Sequence, residues 1–187
     1  MNPGRESDLV DVFVQRSFDV SDTRDPERPD SPRLEPCLDL HGIRREHSYL
    51  ARDGKRILCH FRAPDAESLR EALRVAGVDY DALWTGAVRN IAGAPDFMLV
   101  VERVFDRPVS LDRERGFRVE AARCLQEAGL QPARVLLSRC RKRILWLCRA
   151  TRADAITAAE IDLAGLGFQA WSCKPEPPGC PANANGA

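Results

Sequence analysis

An offset of 87 residues brings one half of this chain into register with the other, and that internal match limits its folds more than any other feature. Val12-Phe13-Val14-Gln15-Arg16-Ser17-Phe18-Asp19 aligns with Leu99-Val100-Val101-Glu102-Arg103-Val104-Phe105-Asp106. Lys55-Arg56-Ile57-Leu58 recurs unchanged as Lys142-Arg143-Ile144-Leu145, Cys37-Leu38 as Cys124-Leu125, Gly42 as Gly129 and Trp84 as Trp171. Matches at one offset along a whole unit imply two copies of one folding unit. A unit of about 80 residues is only marginally stable by itself, so the copies are expected to share a core. The copies differ in their histidines: His41, His47 and His60 stand where the second copy has Ala128, Arg134 and Leu147.

Apolar spacing and turn residues outline the first copy. Residues 1–8 read as a disordered N-terminus and 9–18 as a strand. Residues 20–33 are polar and broken by prolines, which reads as a loop. A helix carrying Leu34, Cys37, Leu38 and His41 on one stripe follows, with Gly42 as its stop. Strands from Glu46 to Arg52 and from Lys55 to Arg62 flank Asp53-Gly54, the favoured pair for a two-residue turn in which both residues take positive φ. Pro64-Asp65 opens a second helix with Leu69, Ala72, Leu73 and Ala76 inward, Gly77 ends it, and Tyr80 to Val88 is the last strand.

The order β-α-β-β-α-β is that of the ferredoxin-like fold. The second copy reads the same way, with a strand at 98–105, a helix at about 111–128, a hairpin at 133–150, a helix at about 152–164 and a strand near 166–172. The fold class is therefore α+β. Two tandem ferredoxin-like units, 9–92 and 96–173, are expected to pack as a pseudo-dimeric α+β barrel. Residues 174–187 read as a disordered, proline-rich tail. Each unit covers one sheet face with its helices, so the other faces need burial against each other, with a pocket between them.

Composition excludes several functions. Lys plus Arg equals Asp plus Glu at 28 each, which leaves no basic excess for a dedicated nucleic-acid protein. Arg141-Lys142-Arg143 reads as a solvated hairpin tip. No apolar run approaches the ~20 residues that a membrane helix needs, and the N-terminus lacks an apolar signal core; the expectation is a cytoplasmic protein, a monomeric pseudo-dimer or a homodimer. The 7 cysteines form no Cys-x-x-Cys pair and read as thiols in a reducing compartment. A Cys173–Cys180 bridge under oxidising conditions is the lesser reading.

The hairpin carries the chemistry. Counting outward from Asp53-Gly54 sets Leu50 against Ile57, Tyr49 against Leu58, Ser48 against Cys59 and His47 against His60. Side chains alternate between faces. Leu50, Ile57, Cys59 and Phe61 belong under the helices, whereas His47, Tyr49, Leu58, His60 and Arg62 line the open face, joined by Arg16 as a further pocket residue. Opposed residues have Cβ atoms about 4.5–5.5 Å apart. Two imidazoles at that spacing can share one ion, with nitrogen–metal bonds of about 2.0–2.1 Å. They can equally stack or hydrogen-bond in a polar cavity; on spacing alone this second reading is the better supported, because no third ligand is identifiable. Imidazole suits nickel, copper, zinc and iron alike. A neutral imidazole kept as a base by its neighbour is a third role. His41 reads as a packing residue at a helix end, Cys37 and Cys124 as packing thiols, and a salt bridge is the stronger reading of Arg16 and Arg103.

The stretch Ser48-Tyr49-Leu50-Ala51-Arg52-Asp53-Gly54 through Cys59-His60-Phe61-Arg62-Ala63-Pro64-Asp65, with Ala76-Gly77, resembles a bacterial family of small nickel-binding, ferredoxin-like proteins first catalogued as a domain of unknown function. The likeness spans most of residues 10–88. In the second copy Ala150-Thr151-Arg152 replaces Ala-Pro-Asp and Arg139-Cys140-Arg141 replaces the turn. The resemblance implies the fold, the pairing of units, and nickel or another divalent transition metal as cofactor. The leading expectation is a divalent-metal-binding protein with one site, at His47 and His60, in the first unit. The alternative is a small-molecule-binding α+β barrel enzyme, oxygenase- or isomerase-like, working through the same pocket. The expected partners are a metal ion or a small molecule, without nucleic acid or membrane.

Overall fold

A computed structural model describes residues 9–18, 33–90, 99–150 and 167–176. The expected N-terminal tail, the loop after residue 18, the helix at 152–164, Cys180 and most of the C-terminal tail lie outside the described residues. Contacts divide the chain into unit 1, up to Thr85, and unit 2, from Gly86 to Pro175. The described residues hold eight strands.

Unit 1 contains β1 (Val10–Ser17), α1 (Leu34–Leu40), β2 (Arg44–Ala51), β3 (Arg56–Ala63), α2 (Ala66–Ala76) and the start of β4 (Ala82–Asn90). β3 lies between β1 and β2 and pairs antiparallel with both. The Asp81 amide donates to the Gln15 carbonyl at 2.9 Å, at the entrance to β4. At seven residues α1 is far below the ~12–15 at which an isolated helix becomes even marginal, so packing holds it. Leu34 and Leu38 of α1 and Leu69, Ala72, Leu73 and Ala76 of α2 close over Val12, Val14, Leu50, Ile57, Cys59 and Phe61 of the sheet. Fully burying each leucine contributes about 1.5–3 kcal/mol before ordering costs. The Ser68 amide donates to the Asp65 carboxylate at 2.7 Å at the start of α2, and Gly77, at φ 69°, ends it. His41 caps the C-terminus of α1, before Gly42 at φ 64°.

Unit 2 contains β5 (Leu99–Val104), α3 (Leu111–Glu127), β6 (Leu130–Ser138), β7 (Arg143–Ala150) and β8 (Gln169–Glu176), with strand order β8-β5-β7-β6 and antiparallel pairing throughout that order. The division between units falls inside β4, whose residues Gly86–Asn90 pair antiparallel with β6. Ser110 caps α3 by accepting from the Arg113 amide at 3.2 Å. Ala121 and Leu125 of α3 pack on Leu99, Val101, Ile144 and Trp146.

The 87-residue offset relates pairing registers as well as residues. Phe13 opposite His60 in unit 1 corresponds to Val100 opposite Leu147 in unit 2. A β-bulge between Arg45 and His47 recurs between Pro132 and Arg134, where the ladder's irregularity tolerates a proline.

The expected two-residue turn does not form. β2 ends at Ala51 and β3 begins at Arg56, leaving four residues between them. Only Gly54 takes a positive φ, 70°, while the Asp53 carboxylate accepts from the Lys55 amide at 2.9 Å. Two more loop residues leave the parity of the strands unchanged, so His47 still faces His60. In unit 2 the position of Gly54 is filled by Arg141, at φ 55°.

Candidate functional site

The face of the unit 1 sheet away from α1 and α2 gathers Asp11 and Phe13 from β1, His47 and Tyr49 from β2, Leu58, His60 and Arg62 from β3, and Trp84 from β4. His60 is its centre. Its residue is 8 % exposed, and the ring stacks on Phe13 with centroids 4.8 Å apart and planes 20° from parallel. Trp84 continues the stack behind Phe13 at 5.7 Å. His60 Nε2 lies 2.8 Å from Asp11 Oδ1, and Arg62 Nη1 is 3.6 Å from the same oxygen. His47, opposite His60 in the ladder, has its ring centroid 6.1 Å away and 6.2 Å from that of Tyr49.

The sequence-derived site residues therefore separate into two groups. His47, His60, Tyr49, Leu58 and Arg62 share this face, with Tyr49 and Leu58 buried as part of its floor. Arg16 does not join them. It pairs with Ile57, a residue of the helix-side core, and its guanidinium lies 5.0 Å over the Phe18 ring. The correction is one of parity: alternation along β1 puts Asp11, Phe13 and Gln15 on the open face and Arg16 on the other. Asp11 was missed because its approach to His60 depends on the β1–β3 register, across a connection of more than thirty residues. The only signal in the sequence was its place two residues before Phe13.

The metal expectation can be tested on the donors themselves. His47 and His60 are opposed, but His60 Nε2 is engaged by Asp11. Among the described residues no three His, Cys, Asp or Glu side chains converge so as to hold an ion. Cys59 is turned to the helix-side core, where its sulfur accepts from Ser48 Oγ at 3.4 Å. The described donors thus do not make a nickel ligand set. Burial pushes the Cys148 thiol well above its ordinary range, which makes it an inert packing group. Among the described residues no two cysteines form a disulfide with each other, and Cys180, the expected partner of Cys173, lies outside them.

The corresponding face of unit 2 has Val100, Leu147 and Arg134 where unit 1 has Phe13, His60 and His47. Unit 2 also holds a Glu102–Arg143 ion pair at 2.7 Å, with the Glu102 side chain 2 % exposed. No helix among the described residues is long and apolar enough to cross a membrane.

No protein-family model matches this chain, and no curated protein matches it. Solved structures do resemble it. Chlorite dismutase from Candidatus Nitrospira defluvii in complex with imidazole matches with a TM-score of 0.51 and 10 % identity, over 89 % of this chain and 91 % of that one. A mutant of the same enzyme gives 0.50 and 9 %, over 89 % and 91 %. An anthrone oxidase-like protein gives 0.44 and 12 %, over 96 % and 97 %. At these identities the likeness to chlorite dismutase shows a shared fold alone, mixed α and β of the ferredoxin type.

Proposed function

We propose that this chain is a small-molecule-binding protein of the α+β barrel class, with its site on the open face of the unit 1 sheet and His60 as the group that meets the ligand. The observation that carries the reading is the part-buried His60–Asp11 contact, its ring stacked on Phe13 and faced by a second imidazole. An imidazole ordered by a carboxylate is suited to taking or giving a proton, and flat aromatic walls suit a small organic molecule. The fold likeness supports the reading, since the chlorite dismutase it resembles is named for a small oxyanion and has been seen with imidazole bound. In this reading unit 2, which lacks the histidines, does not carry the ligand site.

The test is ring NMR of the full chain against a panel of small organic molecules. Ligands are expected to shift the His47 and His60 resonances, and His60→Ala is expected to abolish the response. A panel that shifts neither histidine refutes the proposal. A second reading, a divalent ion anchored by the two imidazoles, is favoured by their opposed register alone. Metal analysis of untagged protein and of His47→Ala decides it: stoichiometric metal lost in the variant supports it, and metal-free protein that takes up no nickel sinks it.

A further inference from the structure

We infer that the outward face of α3 is an interaction surface for a second copy of this chain, on which two α3 helices pair antiparallel about a two-fold axis. The inference is independent of the ligand reading above.

α3 turns Ala121 and Leu125 into the unit 2 core and leaves its opposite side in solvent. Asp112, Arg115, Gly116, Val119, Glu120 and Arg123 recur at the three- and four-residue spacing of one helix stripe. All of them are exposed, and together they line one open groove. Its apolar centre is Val119, 69 % exposed, beside Gly116.

The fold itself gives no reason for Gly116. Glycine inside a helix is unfavourable because it gives up more chain entropy than any other residue. Gly116 is not among the glycines at positive φ, and a Cβ built on it meets nothing within 4 Å. What glycine supplies at such a position is the close approach of another backbone. Helix axes in contact lie about 8–10 Å apart, and a glycine at the crossing favours the shorter distance.

The charges select the partner. With the two-fold axis between residues 117 and 118 of an antiparallel pair, Asp112 faces the partner's Arg123, Arg115 faces the partner's Glu120, and Gly116 faces the partner's Val119. The stripe is thus complementary to itself, as an isologous interface requires. Each of these charges meets its opposite, and each valine enters the notch that a glycine leaves. A parallel pair in register would set every charge against its like. Arg123 also pairs with Glu127 of its own helix at 2.7 Å, but both side chains are more than half exposed, and such pairs exchange at little cost. From Asp112 to Arg123 the stripe runs about 17 Å along the axis. That is short for a standard interface, so the dimer is a weak one, with a dissociation constant on the order of 100 µM.

Sedimentation velocity of the full chain from about 5 µM to about 1 mM brackets that value. The wild type is expected to pass from monomer to dimer across the range. Arg115→Glu and Glu120→Arg each set like charges across the axis, and each is expected to weaken association about tenfold or more. Mixed in equal amounts, the two variants are expected to regain wild-type association, because their heterodimer restores both contacts. Gly116→Gln fills the notch. It is expected to stay monomeric while melting no lower than the wild type, since the new side chain enters open space. A wild type that is monomeric at the highest concentration overturns the inference. So do variants that associate as the wild type does, and a mixture that associates no better than its parts.

Discussion

Replacing Arg141 with glycine should make the protein more stable, although it deletes a charged side chain from a tight turn. Arg141 is held at φ 55° between two backbone hydrogen bonds: its amide donates to the Ser138 carbonyl at 2.9 Å and its carbonyl accepts from the Val109 amide at 3.1 Å. A left-handed conformation costs a residue with a Cβ roughly 1–2 kcal/mol. Glycine removes that cost but adds about 0.4–1 kcal/mol of chain entropy to the unfolded state. The net expectation for Arg141→Gly is a gain of about 0.5–1 kcal/mol, or roughly 1–4 °C in Tm for a chain of this length. Unit 1 supplies the reciprocal experiment. Gly54 occupies the equivalent position at φ 70°, and a Cβ built there meets nothing within 4 Å. Gly54→Ala should therefore lose about as much as Arg141→Gly gains, through backbone conformation alone. Thermal and urea unfolding of both variants, followed by circular dichroism, measure the two changes. If Arg141→Gly is less stable than wild type while Gly54→Ala is unchanged, the turn reasoning is wrong.

Two further outcomes follow from packing and capping. The Arg103 guanidinium lies 4.7 Å from the Phe117 ring centroid, 5.0 Å from that of Phe168 and 5.5 Å from that of Phe105, tying α3 and residue 168 to β5; Arg103→Met, which keeps the volume and removes the charge, should cost about 1–2 kcal/mol in urea unfolding, and a variant as stable as wild type refutes the cation–π account. The Ser68 backbone amide holds the Asp65 carboxyl below its ordinary value of 3.8. A carboxylate with a depressed folded pKa contributes stability that is present above its unfolded pKa and is lost as the pH falls through the folded value. The wild-type advantage over Asp65→Ala should accordingly be full at neutral pH and shrink below about pH 4; a difference that does not vary with pH contradicts it.

Local signals made the frame legible. Gly42 and Gly77 mark helix ends because only glycine takes a positive φ there without strain, and Asp65 announces α2 by its cap. The His47–His60 pairing was readable because a hairpin register is counted from its turn, and the count survived a turn two residues longer than expected. Arg16 and Asp11 were not readable. Their faces follow from how β1 docks on β3, a non-local pairing that no turn dictates. Asp11 became part of the site through that docking, and Arg16 left it for the same reason. The donor set around His60 likewise depends on three strands meeting, so the histidine pair alone suggested an ion anchor before Asp11 had claimed one nitrogen.

The bulge between Arg45 and His47 lets one strand serve two masters. In a regular strand the side chains at 45 and 47, two residues apart, would point the same way. With Glu46 bulged out, Arg45 reaches back over Phe61 and pairs with Glu35 of α1, while His47 turns to the opposite face beside His60. Selection can therefore rewrite position 47 without disturbing what α1 rests on. The bulge at Pro132 keeps the same freedom in unit 2, where arginine stands in that place. Histidine at one bulge and arginine at the other thus differ in chemistry while the helix-side contacts beneath each stay under their own constraint.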